Sequence, residues 1–181
     1  MIIIFLGPPF AGKDTQSKLI SIKYNLPVFS MGAIIRDAYA RKDPKAVEGF
    51  ENYTVKGLTL PIGLKFDLLK NEIRDKNNFI LDNFPVNQED LDTFLSYLKE
   101  RGLKVDYVFH LNIDENEIFK RITRRERRDD DPDIVRTRIE IQGEQRQVVL
   151  KYFKQKGILL EIDGKGEVND VFNRIVDSIK T

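Results

Sequence analysis

Short apolar runs and longer amphipathic stretches alternate along this chain, and their order predicts an architecture. Residues 1–6 are an isoleucine-rich run without a polar break, the pattern of a parallel strand buried on both faces. In residues 15–24, Leu19, Ile20 and Lys23 fall on helical spacing. Residues 26–30 read as a second short strand with Pro27 at its entry, followed by a helix over 31–41 that Ser30 can cap. A weaker helical stretch covers 43–54, and a break at 57–61 leads into a helix to about residue 74. Residues 78–82 form another buried strand, which Asn83, Phe84 and Pro85 turn into a helix over 87–101. A strand over 105–111 is followed by a helix from Asp114, its cap, to residue 124, and then by a charged connection at 125–131. Pro132, suited to a first helical position, opens a long helix to residue 156 that Gly157 ends. A last strand (158–162) and an amphipathic helix (168–179) complete the pattern. Strands alternating with helices predict an α/β fold, a parallel sheet covered on both faces, with ligands at the carboxyl ends of the strands. The helices between the second and third strands and the arginine-rich connection break this rhythm. Both are candidate flaps over a substrate.

Composition narrows the class. The 181 residues suit one domain with a sizeable core and room for small inserted subdomains. Lys and Arg total 30 against 29 for Asp and Glu, so no global field advertises nucleic acid or an anionic membrane. The chain has no cysteine, which excludes disulfides and thiolate metal sites and fits a reducing cytoplasm. Residues 1–6 are too short to span a bilayer or act as a signal peptide. A soluble, cytoplasmic, monomeric α/β protein is expected.

Between the first strand and the first helix lies Gly7-Pro8-Pro9-Phe10-Ala11-Gly12-Lys13-Asp14-Thr15. Gly7 and Gly12 flank four residues and Lys13 follows, so G-x-x-x-x-G-K is complete in the strand–loop–helix context that gives it meaning. Glycines let successive N–H groups turn inward on an anion. The helix start adds free N–H groups and the positive end of its dipole, and Lys13 supplies a charge for the outer phosphates. The alternative is a tight turn that carries a lysine. Asp14 stands where a hydroxyl residue usually follows the lysine.

Further motifs extend the pattern through the whole chain: Gly32-Ala33-Ile34-Ile35-Arg36, Gly57-Leu58-Thr59-Leu60-Pro61, Leu81-Asp82-Asn83-Phe84-Pro85-Val86, Arg127-Arg128-Asp129-Asp130 with Arg138-Ile139 after it, and Ile162-Asp163-Gly164. In order and spacing these resemble the motifs of the adenylate kinase family of nucleoside monophosphate kinases. The resemblance implies a P-loop NTPase fold with a five-stranded parallel sheet, a monophosphate-binding flap at about 30–60 and a short lid at about 122–131. It implies transfer of a phosphoryl group from ATP, with Mg2+, to a nucleoside monophosphate, most simply AMP. It places Lys13, Arg121, Arg127 and Arg138 around the transferred group. Gly7, Pro8, Ala11, Gly12, Lys13, Asp14, Thr15, Arg121 and Arg125 would bind ATP. Met31, Arg36, Leu58, Leu60, Asn83, Phe84, Val86 and Asp90 would bind the monophosphate. Asp82 would hold a magnesium-bound water, and Asp129 and Asp130 would fix the closed lid. Forked guanidinium donors suit such work because each grips two phosphate oxygens and keeps its charge. Glu126 and the three aspartates at 129–131 offset the basic run at 120–128, which argues against a nucleic-acid patch. His110, at a strand end with no paired acid in view, is assigned no role.

The departures from the family pattern gather on the acceptor side. Val86 replaces a phosphate-gripping arginine, Ala33 an aspartate, Met31 a threonine and Asn83 a glycine; Asp90 stands where a glutamine reads adenine. Val86-Asn87-Gln88-Glu89-Asp90 also resembles the corresponding segment of UMP/CMP kinases, apart from the arginine. Three readings therefore stand: an adenylate kinase, a kinase of another monophosphate, and a nucleotide-binding protein with weak or no turnover. Arg41 and Arg74 are near enough in sequence to take over the missing grip. Inside the loop, Phe10 and Asp14 replace glycines, and Asp14 is a candidate to compensate for Ala33 by holding magnesium.

Overall fold

Along the first strand the side chains alternate between two apolar clusters. Ile2, Ile4 and Leu6 enter one, and Ile3 and Phe5 enter the other, so both faces of the sheet are covered as the unbroken apolar run requires. The computed structural model describes residues 1–122 and 131–179. Its five strands are β1 (Ile2–Leu6), β2 (Val28–Ser30), β3 (Phe79–Asp82), β4 (Tyr107–Asn112) and β5 (Leu159–Asp163). All neighbours are parallel, in the order β2-β3-β1-β4-β5. The parallel sheet and its alternation with helices match the sequence reading, and the strand limits differ from it by one or two residues.

The helices are α1 (Lys13–Tyr24), α2 (Met31–Ala40), α3 (Pro44–Asn52), α4 (Ile62–Ile73), α5 (Gln88–Glu100), α6 (Glu115–Ile122), α7 (Pro132–Gln155) and α8 (Val168–Ser178), with a 3₁₀ turn at Thr54–Lys56. One face of the sheet is covered by the cluster that contains Phe79, Phe84, Phe94, Val149 and Phe153. The other is covered by the cluster that contains Ile20, Phe109, Val171 and Ile175. Several helix starts follow the expected chemistry. Asp43, Asn87 and Asp131 accept from backbone N–H groups of α3, α5 and α7, and Pro44 and Pro132 occupy first-turn positions. Asp114 accepts from the Glu117 N–H at 2.9 Å. Ser30 departs from expectation: it makes no side-chain cap on α2, and its hydroxyl is turned toward Asp82, its partner in the β2–β3 register.

Because β1 lies between β3 and β4, the chain leaves it first toward one edge of the sheet and later toward the other. The crevice at the carboxyl end of β1 is where such a sheet receives ligands. The segment with Arg125, Arg127, Asp129 and Asp130, and with it most of the expected lid, lies outside the described residues.

Candidate functional site

The loop after β1 is shaped by its neighbours as well as by its own sequence. Gly7 adopts φ +146°, and a Cβ there would stand 2.5 Å from the Leu111 carbonyl oxygen, so only glycine lets the loop leave β1 against β4. Gly12, at φ +93°, is the residue from which α1 starts. Lys13 folds back over the loop, its ammonium donating to the carbonyl oxygens of Gly7 at 3.0 Å and Pro8 at 2.7 Å. Phe10 takes φ +60°, which costs a non-glycine residue about 1–2 kcal/mol. Its ring packs beside Ile118, Ile122 and Val135, and this burial offsets the strain. A glycine is therefore dispensable at position 10 because α6 and α7 give a larger side chain something to cover.

Arg121 ties the loop to its surroundings. Its guanidinium donates to the carbonyl oxygens of Phe10 and Gly164, each at 3.2 Å, and to Glu117 Oε1 at 2.8 Å. Gly164 has no room for a Cβ, which would lie 2.8 Å from Ile113 and 3.2 Å from the Ala11 carbonyl, so the Ile162-Asp163-Gly164 motif is a contact with the loop. Asp14 and Thr15 are exposed on the first turn of α1, and the Asp14 carboxylate lies 3.1 Å from the Lys18 ammonium one turn on. That pairing favours the helix-start role of Asp14 over a role in holding metal.

Asp82 joins the two sides of the crevice. It ends β3 in register with Phe5, is 5% exposed, and its Oδ1 has no hydrogen-bond partner among the described residues. Burial pushes its carboxyl above the ordinary range; Lys13, Ser30 and Arg36 oppose that shift and Asp14 adds to it. One carboxylate therefore feels the charges of both the loop lysine and Arg36. A buried acceptor oxygen beside a phosphate loop fits a water held by a divalent cation.

Beyond Asp82 opens a cleft lined by Met31, Gly32, Ile35, Arg36, Phe50, Thr54, Leu58, Thr59, Leu60, Lys65, Asn83, Val86, Arg138 and Gln142. Of the residues expected on the acceptor side, Met31, Arg36, Leu58, Leu60, Asn83 and Val86 are thus brought together. Phe84 is not on this wall: it is 1% exposed in the core, against Phe66 and Phe94. Asp90 is wholly buried and engaged by Lys65, whose ammonium is 2.8 Å from each carboxylate oxygen, while the Val86 N–H donates to Oδ2 at 3.1 Å. Burial is the largest influence on both partners, pushing Lys65 down and Asp90 up, and their mutual attraction opposes it. Asn83 holds φ +62°, the backbone a glycine would take, and asparagine tolerates it better than most residues. A second cavity, of about 510 Å³, lies beside Met1, Asp106 and Tyr107 at the opposite, amino end of the strands and holds none of these residues.

Several functional features were not legible in the chain. Lys65 belongs to no motif; its one signal in the chain is that it shares four-residue spacing, and so a helix face, with the apolar Leu69 and Ile73. His110 does have an acid, with Nδ1 2.8 Å from Glu161 Oε2 across the β4–β5 register. Arg41 and Arg74 are exposed at helix ends, Arg74 beside Asp75, and neither lines the cleft. Arg146, which the sequence did not single out, is buried on α7 within reach of the charge of Arg138, a residue of the cleft wall.

A glycine-bearing loop on the central strand, a lysine folded over it and a cleft lined by two arginines beyond Asp82 define a P-loop protein. Residues 5–158 match the family model for adenylate kinase. Over 97% of its length the chain is 32% identical to the adenylate kinase of Clostridium tetani, 96% of which is covered. It is 31% identical to that of Leptospira biflexa (98% of each chain) and 34% identical to that of Azobacteroides pseudotrichonymphae (96% of this chain, 94% of the relative). The chain belongs to the adenylate kinase family.

Proposed function

We propose that this protein transfers the terminal phosphoryl group of ATP to AMP, giving two ADP. The observation that carries this reading is the arrangement of the loop lysine, Asp82 and the arginine-lined cleft around one crevice at the end of β1. Phosphoryl transfer requires two anions in line and neutralisation of the oxygens between them, and little covalent help. Lys13 would follow the negative charge on the transferred group, Arg138 would bridge donor and acceptor, and Arg36 would hold the acceptor phosphate. Arg121, already against the loop, with Arg125 and Arg127, would complete the grip on ATP. Asp82 would orient a water of the magnesium ion that accompanies ATP, which supplies charge neutralisation to the phosphates. Asp14 is the second candidate for that ion, in competition with Lys18. The helices between β2 and α4 would act as the flap and the segment at about 122–131 as the lid. The near balance of charge argues against a nucleic-acid or anionic-membrane partner, and the lack of cysteine fits a cytoplasmic enzyme, which we take to act as a monomer.

One observation favours a second acceptor. The carboxylate at Asp90 is committed to Lys65 and the Val86 N–H, so the position that would read adenine carries a buried ion pair instead. A Lys65 ammonium on the cleft wall suits a base that presents a carbonyl oxygen, as uracil and cytosine do. A coupled assay of ADP formation from ATP with AMP, CMP, UMP, GMP and the deoxynucleotides tests both readings. AMP is expected to give the highest kcat/KM. A pyrimidine monophosphate ahead of AMP would install the second reading, and no turnover with any acceptor would overturn both.

A further inference from the structure

Helix α7 carries Arg138, Gln142 and Arg146 at four-residue spacing, and so presents them along one face. The first two line the cleft opposite Arg36, Asn83 and Val86. Further along, Val149, Leu150 and Phe153 carry the helix into the core. Arg146 sits at the transition between cleft and core. It is 4% exposed, and its Nε and Nη2 have no hydrogen-bond partner among the described residues. Among the described residues the charged group that acts on it is another cation, Arg138, and burial with that repulsion lowers its pKa to about 10, so at neutral pH it still carries its charge. His110, in register with Leu6 at the end of β1, feels the charges of both Arg146 and Lys13.

A buried guanidinium with neither a carboxylate nor a full set of acceptors is among the costliest groups a fold can retain. Forked, permanently charged and next to a second arginine, it is complementary to a phosphate dianion. On the kinase reading the loop would surround the donor phosphates with backbone N–H groups and Lys13, whereas Val86 contributes no donor side chain to the cleft wall. We propose that Arg146 grips the phosphate of the acceptor monophosphate from beneath the cleft, together with Arg138 and Arg36. The inference rests on the kinase reading and adds to it a residue and a direction of approach.

Calorimetric titration of AMP and of adenosine into wild type, Arg146→Met and Arg146→Lys tests it, with Arg74→Met as an exposed control. Adenosine lacks the phosphate, so the ratio of the two affinities reads the phosphate grip and is insensitive to a general loss of packing. The preference for AMP over adenosine is expected to fall at least about tenfold in Arg146→Met, by an intermediate factor in Arg146→Lys, and not at all in Arg74→Met. Steady-state kinetics should show the KM for AMP rising while that for ATP stays within about twofold. Should Arg146→Met fail to fold, the lysine variant carries the test, because it keeps the charge and removes only the fork. An unchanged AMP preference in the folded variants, or a rise in the ATP constant alone, would overturn the proposal and leave the kinase reading intact. Wild-type protein that turns over no monophosphate would overturn that reading, and this inference with it.

Discussion

The loop after β1 and the cleft beyond Asp82 are built by different means. In the loop, nine consecutive residues supply the backbone groups, the glycines and the lysine, and the charges are satisfied at once: Lys13 by two carbonyls, Asp14 by Lys18, Arg121 by Glu117 and two carbonyls. The cleft is assembled from α2, α3, the 3₁₀ turn, α4, the segment after β3 and α7, and buried charges adjoin it: the Lys65–Asp90 pair and, two turns beyond Arg138 on α7, Arg146. A loop built from backbone can accommodate odd side chains: Phe10 packs beside Ile118 and Ile122, and Asp14 pairs with Lys18. A site built from distant side chains changes character with each one.

The largest expected effect breaks the loop side. Lys13→Met should lower kcat by at least about 10²-fold with the fold retained, because the charge is needed most as negative charge shifts in the transition state. Circular dichroism and single-turnover rates check it; a variant that keeps more than about a tenth of its turnover would remove the loop from the mechanism.

On the cleft side, breaking the buried pair should cost stability. Lys65→Met or Asp90→Leu alone leaves an uncompensated buried charge and should destabilise by about 3–5 kcal/mol, whereas the double replacement should lie close to wild type. Urea unfolding of the three variants measures this. Equal losses in single and double variants would mean that the pair is held by packing alone. The acceptor preference of the double variant tells whether Lys65 also reads the base.

Asp14→Gly sharpens the comparison from the loop side. Loss of an acidic group from the first turn, with glycine in its place, should lower stability by about 1 kcal/mol and leave the magnesium concentration for half-maximal activity unchanged. A raised magnesium requirement would return the carboxylate to the metal.

The smallest effect concerns pH. His110 is pushed below its ordinary value, first by burial and then by Arg146 and Lys13, with Glu161 opposing. A histidine depressed in the folded state binds its proton more readily when unfolded, so its contribution is present above about pH 6.5 and is lost as pH falls through the lower, folded value. Wild-type Tm should therefore drop from pH 7.5 to pH 5.5 more steeply than that of His110→Asn. Parallel profiles would show that folding leaves the affinity of His110 for its proton unchanged.

Much of this molecule was legible in the chain because its signals are local. Apolar runs and helical spacing located the strands and helices, proline and aspartate marked the starts of α3 and α7, and the loop announced itself through glycines and a lysine within nine residues. What stayed hidden depends on residues that meet only after folding. Lys65 finds Asp90 across 25 positions, and His110 finds Glu161 only because β4 and β5 pair in one register. Arg146 looks in sequence like any exposed helical arginine, and only the placement of α7 over the sheet takes it out of water. Backbone conformation and amphipathic pattern are set within a few residues of one another, so the sequence by itself determined the elements and the phosphate loop. Desolvation and charge pairing are set by whatever the fold packs against each group, so the tertiary structure alone decided the character of the acceptor side.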